Sequence, residues 1–143
     1  MGAYFATCTG CEKDAGGNVT VVHCTYDPET RGGSSADGRK VKGTIHWVPA
    51  PYAIDAEVRL YENIIDEKKG VYNEDGSLNL NPNSLTVVEH AYLEPGFEGA
   101  KAFDSFQFVR NGFFCVDYKD STPEKMVFNR IVSLKSSFKL PKA

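Results

Sequence analysis

The chain lacks the long apolar segments of a membrane protein and the motifs of the common enzyme classes. No run of residues approaches the ~18–20 consecutive apolar positions that cross a bilayer as a helix. No phosphate-binding loop, dinucleotide fingerprint, HExxH or GxSxG motif occurs, and the carboxylates are too scattered to assign acid and base roles. These absences favour a binding module over an enzyme, so we predict no catalytic residues and no cofactor in this chain.

Cysteine is scarce, with four residues at Cys8, Cys11, Cys24 and Cys115. Cys8 and Cys11 have the spacing of a zinc knuckle, and His23 beside Cys24 could complete a ligand set, but no second pair has matching spacing. The first residues also lack a basic segment followed by an apolar one, so we predict no secretory signal. We therefore expect reduced thiols in a cytoplasmic protein and no metal site.

Positive charge is in short supply over most of the chain, and the formal net charge is −3. Residues 1–118 hold 10 Lys and Arg against 17 Asp and Glu, whereas residues 119–143 hold 6 against 2. A basic segment beside an acidic body can face phosphates, although an ordinary solvated surface produces the same pattern. Charge alone therefore does not predict nucleic-acid binding.

The sequence also lacks helical periodicity, and its apolar residues instead follow patterns that are typical of β-strands. Thirteen glycines and seven prolines are spread along the chain and separate β-branched or alternating stretches, which is typical of short strands joined by turns. We predict an all-β fold of roughly eight to ten strands in one or two antiparallel β-barrels, with residues 66–82 as a weakly paired surface excursion. The strand candidates are Tyr4–Thr9, Val19–Tyr26, Arg39–Val48, Ala56–Ile65, Leu85–Leu93, Ser105–Arg110, Phe113–Tyr118 and Met126–Phe138.

Residues 103–118 are the most informative stretch, because two aromatic runs flank Asn111-Gly112. Asn-Gly favours a two-residue type I′ turn, and such a turn would pair Arg110 with Phe113. Apolar residues on both faces predict a hairpin in the centre of the fold. One predicted face holds Phe106, Phe108, Phe113 and Cys115, and the other holds Gln107, Val109, Phe114 and Val116.

Two polar residues stand out in this hairpin, Gln107 and Arg110. They fit either a hydrogen-bonded core amide and a solvated turn residue, or a pair of ligand-binding side chains. Strict alternation places them on opposite faces. Both can approach one ligand only if the turn is longer than two residues or carries a bulge.

Five ordered groups of residues together carry a resemblance to a known family. In this order and at these spacings, the chain resembles the C-terminal region of bacterial-type glutaminyl-tRNA synthetases, from about Ala3 to Phe138. The groups are Asp37–Gly43 with Ile45–Val48; Glu57–Tyr61; Asn81-Pro82 with Ser84-Leu85; Phe106–Phe108 with Arg110, Gly112 and Phe114-Cys115; and Ser121-Thr122 with Glu124-Lys125 and Val127–Arg130.

The resemblance implies that residues 1–143 are one anticodon-binding β-barrel region of a longer synthetase whose catalytic domain is absent here. The fragment would have no catalytic activity and no cofactor of its own, whereas the full-length enzyme would be a cytoplasmic glutamine–tRNA ligase that uses ATP with Mg. The implied partners are the anticodon arm of glutamine tRNA and the rest of the synthetase chain, with no membrane and no other protein.

The resemblance also assigns roles to residues. In the family, the positions that match Gln107 and Arg110 contact the middle anticodon uridine. An amide offers a donor and an acceptor to a uracil edge, a guanidinium can bridge base and phosphate, and anticodon bases are unstacked targets. Ser137 matches a family threonine near the same pocket, and Lys135 and Arg130 fit contacts to backbone phosphates.

Two other functions remain open on the sequence. The related barrel of archaeal and eukaryotic-type glutamyl-tRNA synthetases reads an anticodon with the same middle uridine. A β-barrel or sandwich that binds a protein or a carbohydrate would instead use Trp47 and surface tyrosines as an aromatic platform.

Overall fold

The computed structural model describes residues 3–66 and 68–134, and within them the chain folds into seven strands and two short 3₁₀ helices. The predicted all-β class is confirmed, while the predicted count of eight to ten strands is too high for these residues. No helix in the described ranges is long and apolar enough to cross a membrane. The chain divides into two compact units, residues 1–47 and residues 48–143.

The first unit is built on one antiparallel hairpin, β1 (Phe5–Lys13) and β2 (Val19–Asp27). The β-branched residues of β2 favour extended backbone, and the polar turn between the strands is closed by Asp14, whose Oδ1 accepts from the Asn18 amide at 2.9 Å. The strands match the sequence prediction within a few residues. A 3₁₀ helix at Pro28–Thr30 follows β2 directly.

Thr30 fastens this hairpin to the segment after it. Its side chain is buried, its Oγ1 donates to the carbonyl of Asp27 at 2.7 Å, and the same oxygen accepts from the amide of Phe5 at 2.7 Å. Arg39 also pairs with Asp27, and its guanidinium lies 5.7 Å from the centre of the Phe5 ring. These contacts hold the open end of the hairpin together.

The predicted strand over residues 39–48 is wrong. Its alternating residues Val41, Ile45 and Trp47 are exposed, and the segment has no strand conformation. Alternation makes a segment suitable for a sheet, but a strand also needs a neighbour that takes up its backbone hydrogen bonds. Among the residues described, no strand pairs with this segment.

The second unit is built on a five-stranded sheet, which a 3₁₀ helix at Ala50–Tyr52 precedes. Its strands are β3 (Ile54–Tyr61), β4 (Leu85–Leu93), β5 (Ser105–Phe108), β6 (Gly112–Val116) and β7 (Met126–Ser133). Their order in the sheet is β4-β3-β7-β6-β5. Neighbouring strands are antiparallel except β3 and β7, which run parallel from the pair Ala56 and Met126 to the pair Arg59 and Asn129.

Two features of this sheet differ from the sequence prediction. The β5–β6 hairpin lies at one edge instead of in the centre, because β5 has β6 as its partner and ends the strand order. The outer strands β4 and β5 are not hydrogen-bonded to each other, so the described residues form an open sheet and not a closed barrel. The described residues of the 66–82 segment are weakly paired, as predicted, and two isolated bridges join Ile65 to Leu80 and Tyr72 to Leu78.

The hydrophobic core lies against one face of the five-stranded sheet. Phe128 of β7 is fully buried at its centre, and the rings of Phe97, Phe106 and Phe108 lie 5.6, 6.2 and 5.2 Å from it. Such edge-to-face contacts add to the stabilisation from burial of the rings. The other buried apolar members of the core are Ala56, Val58, Phe114, Val116 and Met126.

A network of charged and amide side chains links β3 to β7 and to the loop after β6. Arg59 of β3 donates to Glu57 and to Asp120, at 2.7 Å in each case. Asp117 accepts from the amides of Lys119 and Asp120 and, at 2.6 Å, from the side chain of Asn129. Because this network satisfies buried polar groups, it allows a second, polar layer to form on the sheet.

The network lowers the pKa values of Glu57 and Asp117. Hydrogen bonds from Arg59 and Lys125 hold the pKa of Glu57 below its usual range. Burial alone would raise the pKa of Asp117, but the hydrogen bonds that it accepts from Asp120, Asn129 and Lys119 outweigh burial, so its pKa is also lowered. Folding therefore favours the ionised form of both groups.

We expect the free energy of unfolding to fall in acid. A carboxylate whose pKa is lowered by folding contributes its stabilisation above its unfolded pKa, about 4, and loses it as the pH falls through the folded value. Asp117→Asn should reduce this acid sensitivity and cost about 1–3 kcal/mol at neutral pH, because its new amide would face the donor of Asn129. Urea unfolding at several pH values, with the exposed Glu89→Gln as control, measures both. Equal pH profiles for the two variants would contradict this assignment.

Candidate nucleic-acid interface

The β5–β6 hairpin that carries Gln107 and Arg110 has a three-residue loop. Phe108 pairs with Gly112 and Gln107 with Phe113, so the loop consists of Val109, Arg110 and Asn111. The Asn111 amide donates to the Phe108 carbonyl at 2.9 Å, and Arg110 has φ 71°, which is the arrangement of a type II turn. The predicted two-residue turn at Asn111-Gly112 is therefore wrong.

Aromatic packing explains why this register replaces the one that Asn-Gly favours. The observed pairing puts Phe106, Phe108 and Phe114 on the same face, where Phe108 stacks on Phe114 with ring centres 4.4 Å apart. The predicted pairing would have turned Phe114 away from Phe108. Burial of large rings is worth more than a turn preference, so the core determines the register and the predicted face assignment is corrected.

Gln107 occupies the opposite face of β5 and is exposed. It stands beside Phe113, its partner on β6, which is also exposed. Phe106 and Phe108 on either side of it are half-buried against the core, so the backbone at Gln107 is anchored while its amide faces outward. The alternative that Gln107 is a hydrogen-bonded core amide is therefore wrong.

Arg110 lies at the tip of the hairpin and is exposed. Its positive φ is a conformation that glycine and asparagine adopt more readily than other residues. The tip is stabilised by the Asn111 side chain, whose Nδ2 donates to the Val109 carbonyl at 3.2 Å. A loop longer than two residues is one of the two conditions under which Gln107 and Arg110 can reach one ligand, and the hairpin meets it.

Arg130 lies on β7, apart from the hairpin tip. It pairs with Phe114, whereas Gln107 pairs with Phe113, so the register places Arg130 and Gln107 on opposite faces of the sheet. Its guanidinium donates to the Tyr61 carbonyl at 3.0 Å and pairs with Glu62, and 16% of its side chain is exposed. A phosphate would have to share this guanidinium with Glu62.

The other two predicted contacts, Lys135 and Ser137, lie outside the described residues. They follow β7, whose last residue, Ser133, pairs with Gly112 at the base of the hairpin tip. The chain that leads to them is therefore hydrogen-bonded to the same hairpin as Gln107 and Arg110. Their roles stay predictions.

Two features of this region were missed by the sequence reasoning. The first is the network around Arg59 and Asp117. One sequence feature could have indicated it, since Glu57 and Arg59 carry opposite charges and lie two residues apart on one strand face. The second is Gly112, which was assigned to the turn but lies in β6, where a Cβ would come within 2.6 Å of the Val132 carbonyl oxygen. The residues around Gly112 in the sequence do not predict this contact, because Val132 belongs to a different strand.

The first unit offers a different kind of surface. A groove of about 350 Å³ is lined almost entirely by apolar and aromatic groups. Its lining includes Trp47, of which 60% is exposed. The residues that line the groove are Tyr4, Ala6, Cys24, Thr25, Tyr26, Ile45 and Trp47.

In the described ranges, no group of three or more His, Cys, Asp and Glu side chains is placed to hold a metal ion.

Comparison with known proteins gives consistent matches. Residues 44–117 match the family model of the anticodon-binding domain of class I tRNA synthetases, E and Q. The chain is 50% identical to glutamine–tRNA ligase of Clostridium kluyveri over 141 residues and 54% identical to that of Clostridioides difficile over 143 residues. It is 47% identical to that of Vibrio parahaemolyticus over 137 residues. These alignments cover 96–97% of this chain and 24–25% of each relative, so the chain spans about a quarter of their length.

We expect the backbone at residue 110 to favour glycine over alanine. Both substitutions remove the guanidinium, but only alanine keeps a Cβ in the positive-φ region. Arg110→Gly should therefore be more stable to urea than Arg110→Ala by about 1 kcal/mol. Val109→Gly and Val109→Ala are the matched controls, since Val109 does not have a positive φ, and there alanine should be the more stable. The same order at both positions would contradict the turn geometry.

Proposed function

Because the chain belongs to the family of anticodon-binding domains of class I tRNA synthetases for glutamate and glutamine, we propose that it binds the anticodon arm of glutamine tRNA as part of a glutamine–tRNA ligase. The observation that carries the proposal is 47–54% identity to such ligases over nearly the whole chain. The remaining three quarters of such a protein would hold the catalytic domain, which uses ATP with Mg in the cytoplasm. On this proposal, residues 1–143 act as one binding region without catalytic residues.

Gln107 and Arg110 are the proposed readers of the middle anticodon base. The Gln107 amide is exposed on the outer face of β5, and Arg110 is exposed at the tip that begins two residues later. An amide can donate to and accept from the edge of a uracil at once, and a guanidinium can contact a base and a phosphate together. An unstacked anticodon base exposes the edge that these groups need.

The proposed backbone contacts come from three further residues. Lys135 and Ser137 follow β7 in the sequence, and the last residue of β7, Ser133, pairs with Gly112. Arg130 is the weakest of the three proposals, because it lies on the other face of the sheet and is paired with Glu62. A phosphate contact by Arg130 would require the phosphate to replace Glu62 as a partner of the guanidinium.

We expect Gln107→Ala and Arg110→Ala, made in the full-length protein, each to weaken discrimination at the middle anticodon base by ~1–3 kcal/mol. The loss follows because each removed group makes hydrogen bonds that a wrong base cannot satisfy. The measurement is kcat/KM for aminoacylation of glutamine tRNA and of the same tRNA with its middle anticodon base changed.

The control for these variants is Lys68→Ala, an exposed charge in the excursion between β3 and β4. It should leave the ratio of the two kcat/KM values unchanged. The proposed role fails if the unmodified protein charges both tRNAs equally well, or if neither hairpin variant changes the ratio.

Glutamine is favoured over glutamate as the cognate amino acid. The relatives named above are all glutamine–tRNA ligases, whereas the family model covers both kinds of synthetase. Because the middle uridine is common to both anticodons, Gln107 and Arg110 cannot separate the two. The amino-acid pocket, which lies in the catalytic domain of such enzymes, would decide between them.

The apolar groove of the first unit favours a second candidate, a protein- or carbohydrate-binding module. Tyr4, Tyr26 and Trp47 supply aromatic surface there, and aromatic rings pack on sugar faces and on apolar side chains. This function would not involve Gln107 or Arg110. It also would not depend on phosphate charge.

Salt concentration separates the two candidates. Binding to tRNA should weaken steeply, by roughly an order of magnitude or more between 50 and 200 mM salt, because each phosphate contact releases condensed counterions. Binding to a neutral sugar or an apolar peptide should change little. Titration of labelled glutamine tRNA at several salt concentrations, beside an equal titration of a neutral oligosaccharide, makes the comparison. Affinity for the RNA that is independent of salt would contradict the proposed interface.

A further inference from the structure

Gly112 occupies a point where three strands meet and no side chain fits. It pairs with Phe108 of β5 on one side and with Ser133 of β7 on the other, and it is buried. Its φ is 150°, and a Cβ would lie 2.6 Å from the Val132 carbonyl oxygen and 3.4 Å from the Phe114 ring. Contacts under 3.0 Å with backbone cannot be relieved by a side-chain rotation, so a larger residue must move a strand.

The close approach at Gly112 coincides with an irregularity in β7. Phe113 pairs with Val132, but the next residue, Phe114, pairs with Arg130, so Ile131 is the extra residue of a β-bulge. Bulges bend the strand and fix its register locally. The bulge and the absence of a side chain at Gly112 together allow the hairpin to lie directly on the end of β7.

This junction determines where both proposed readers point. The pair Phe108–Gly112 places Gln107 on the outer face, and a slip of one residue would turn Gln107 toward the core. The same pair fixes the start and the end of the three-residue loop, and so holds Arg110 at the tip. Gly112 thus fixes the placement of both proposed readers through the strand register.

We infer that Gly112 is a positioning residue for recognition of the middle anticodon base, which it serves by locking the hairpin register that presents Gln107 and Arg110. The inference rests on the proposed function of those two residues. It assigns specificity to a backbone contact between Gly112 and Val132, and not to any group that touches the RNA.

The test is Gly112→Ala in the full-length protein, with Gly99→Ala as the matched control. A Cβ added at Gly99 would meet no atom within 4 Å, and Gly99 has no positive φ, so the control adds the same methyl group without a clash. We expect Gly112→Ala to lower the ratio of kcat/KM for glutamine tRNA over the middle-base variant at least tenfold, and Gly99→Ala to leave it unchanged. Equal ratios for the two variants would overturn the inference.

A double-mutant comparison separates positioning from general damage. In a Gln107→Ala, Arg110→Ala background, the added Gly112→Ala should cause no further loss of discrimination, because the groups that it positions are gone. A further loss of the same factor would overturn the inference, since it would show a role independent of the readers. If the background variant itself discriminates normally, the proposed function fails instead, so the two failures are distinguishable.

Asn111→Pro keeps the inference testable if Gly112→Ala does not fold. Asn111 is exposed, and proline removes the amide that closes the loop onto the Phe108 carbonyl while Gly112 and its strand pairs stay intact. Proline also disfavours the conformation of Arg110 before it. Because the Gly112 junction still holds Gln107 on the outer face, we expect Asn111→Pro to lose no more discrimination than Arg110→Ala, with an unchanged far-ultraviolet circular dichroism spectrum. A loss as large as that of the Gln107→Ala, Arg110→Ala double variant would overturn the inference, because loop closure and not the Gly112 junction would then position Gln107.

Discussion

The packing of Phe108 on Phe114, and of both hairpin phenylalanines of β5 on Phe128, is the interaction on which the candidate interface depends. It fixes which face of β5 is turned inward, and therefore which residues remain outside. Because strand side chains alternate, burial of Phe106 and Phe108 obliges Gln107 to face outward. The outward position of Gln107 in the candidate interface is thus a by-product of how the core is filled.

The two faces of the same sheet are stabilised by different physics. One face is aromatic and excludes water, and its geometry tolerates little change in side-chain volume. The other carries Glu57, Arg59, Asp117 and Asn129, whose hydrogen bonds tie β3 to β7 and to the loop after β6. The hydrogen bonds from Arg59 to Asp120 and Glu57 raise the pKa of the guanidinium further above its already high value, so its charge is permanent. The parallel pair β3 and β7, in the middle of an otherwise antiparallel sheet, is therefore stabilised by contacts on both faces of the sheet.

The pattern of β-branched and alternating residues predicted the strands well where it fitted only one secondary structure. The bounds of β2, β4 and the start of β7 follow β-branched and alternating runs, and the apolar residues that β3 buries, Ala56 and Val58, follow its alternation. Residues 39–48 show the limit, because alternation does not reveal whether a partner strand exists. The hairpin register shows another limit: the Asn-Gly signal is local, whereas the contacts that overrule it, Phe114 with Phe108 and Gly112 with Val132, join residues by packing. The resemblance located Gln107 and Arg110, but their relative placement required the register.

The parallel pairing of β3 with β7 has a consequence for the order in which the second unit can form. Ala56 and Met126 are roughly 70 residues apart, and β3 is an inner strand that needs both neighbours. On a ribosome, β3 and β4 emerge early as an antiparallel pair, and the edge of β3 that later pairs with β7 stays open until β5, β6 and β7 have been synthesised. Contacts of such sequence separation form slowly, and unpaired edges invite association with other nascent chains. Synthesis of this sheet therefore passes through a stage at which chaperone protection is most valuable.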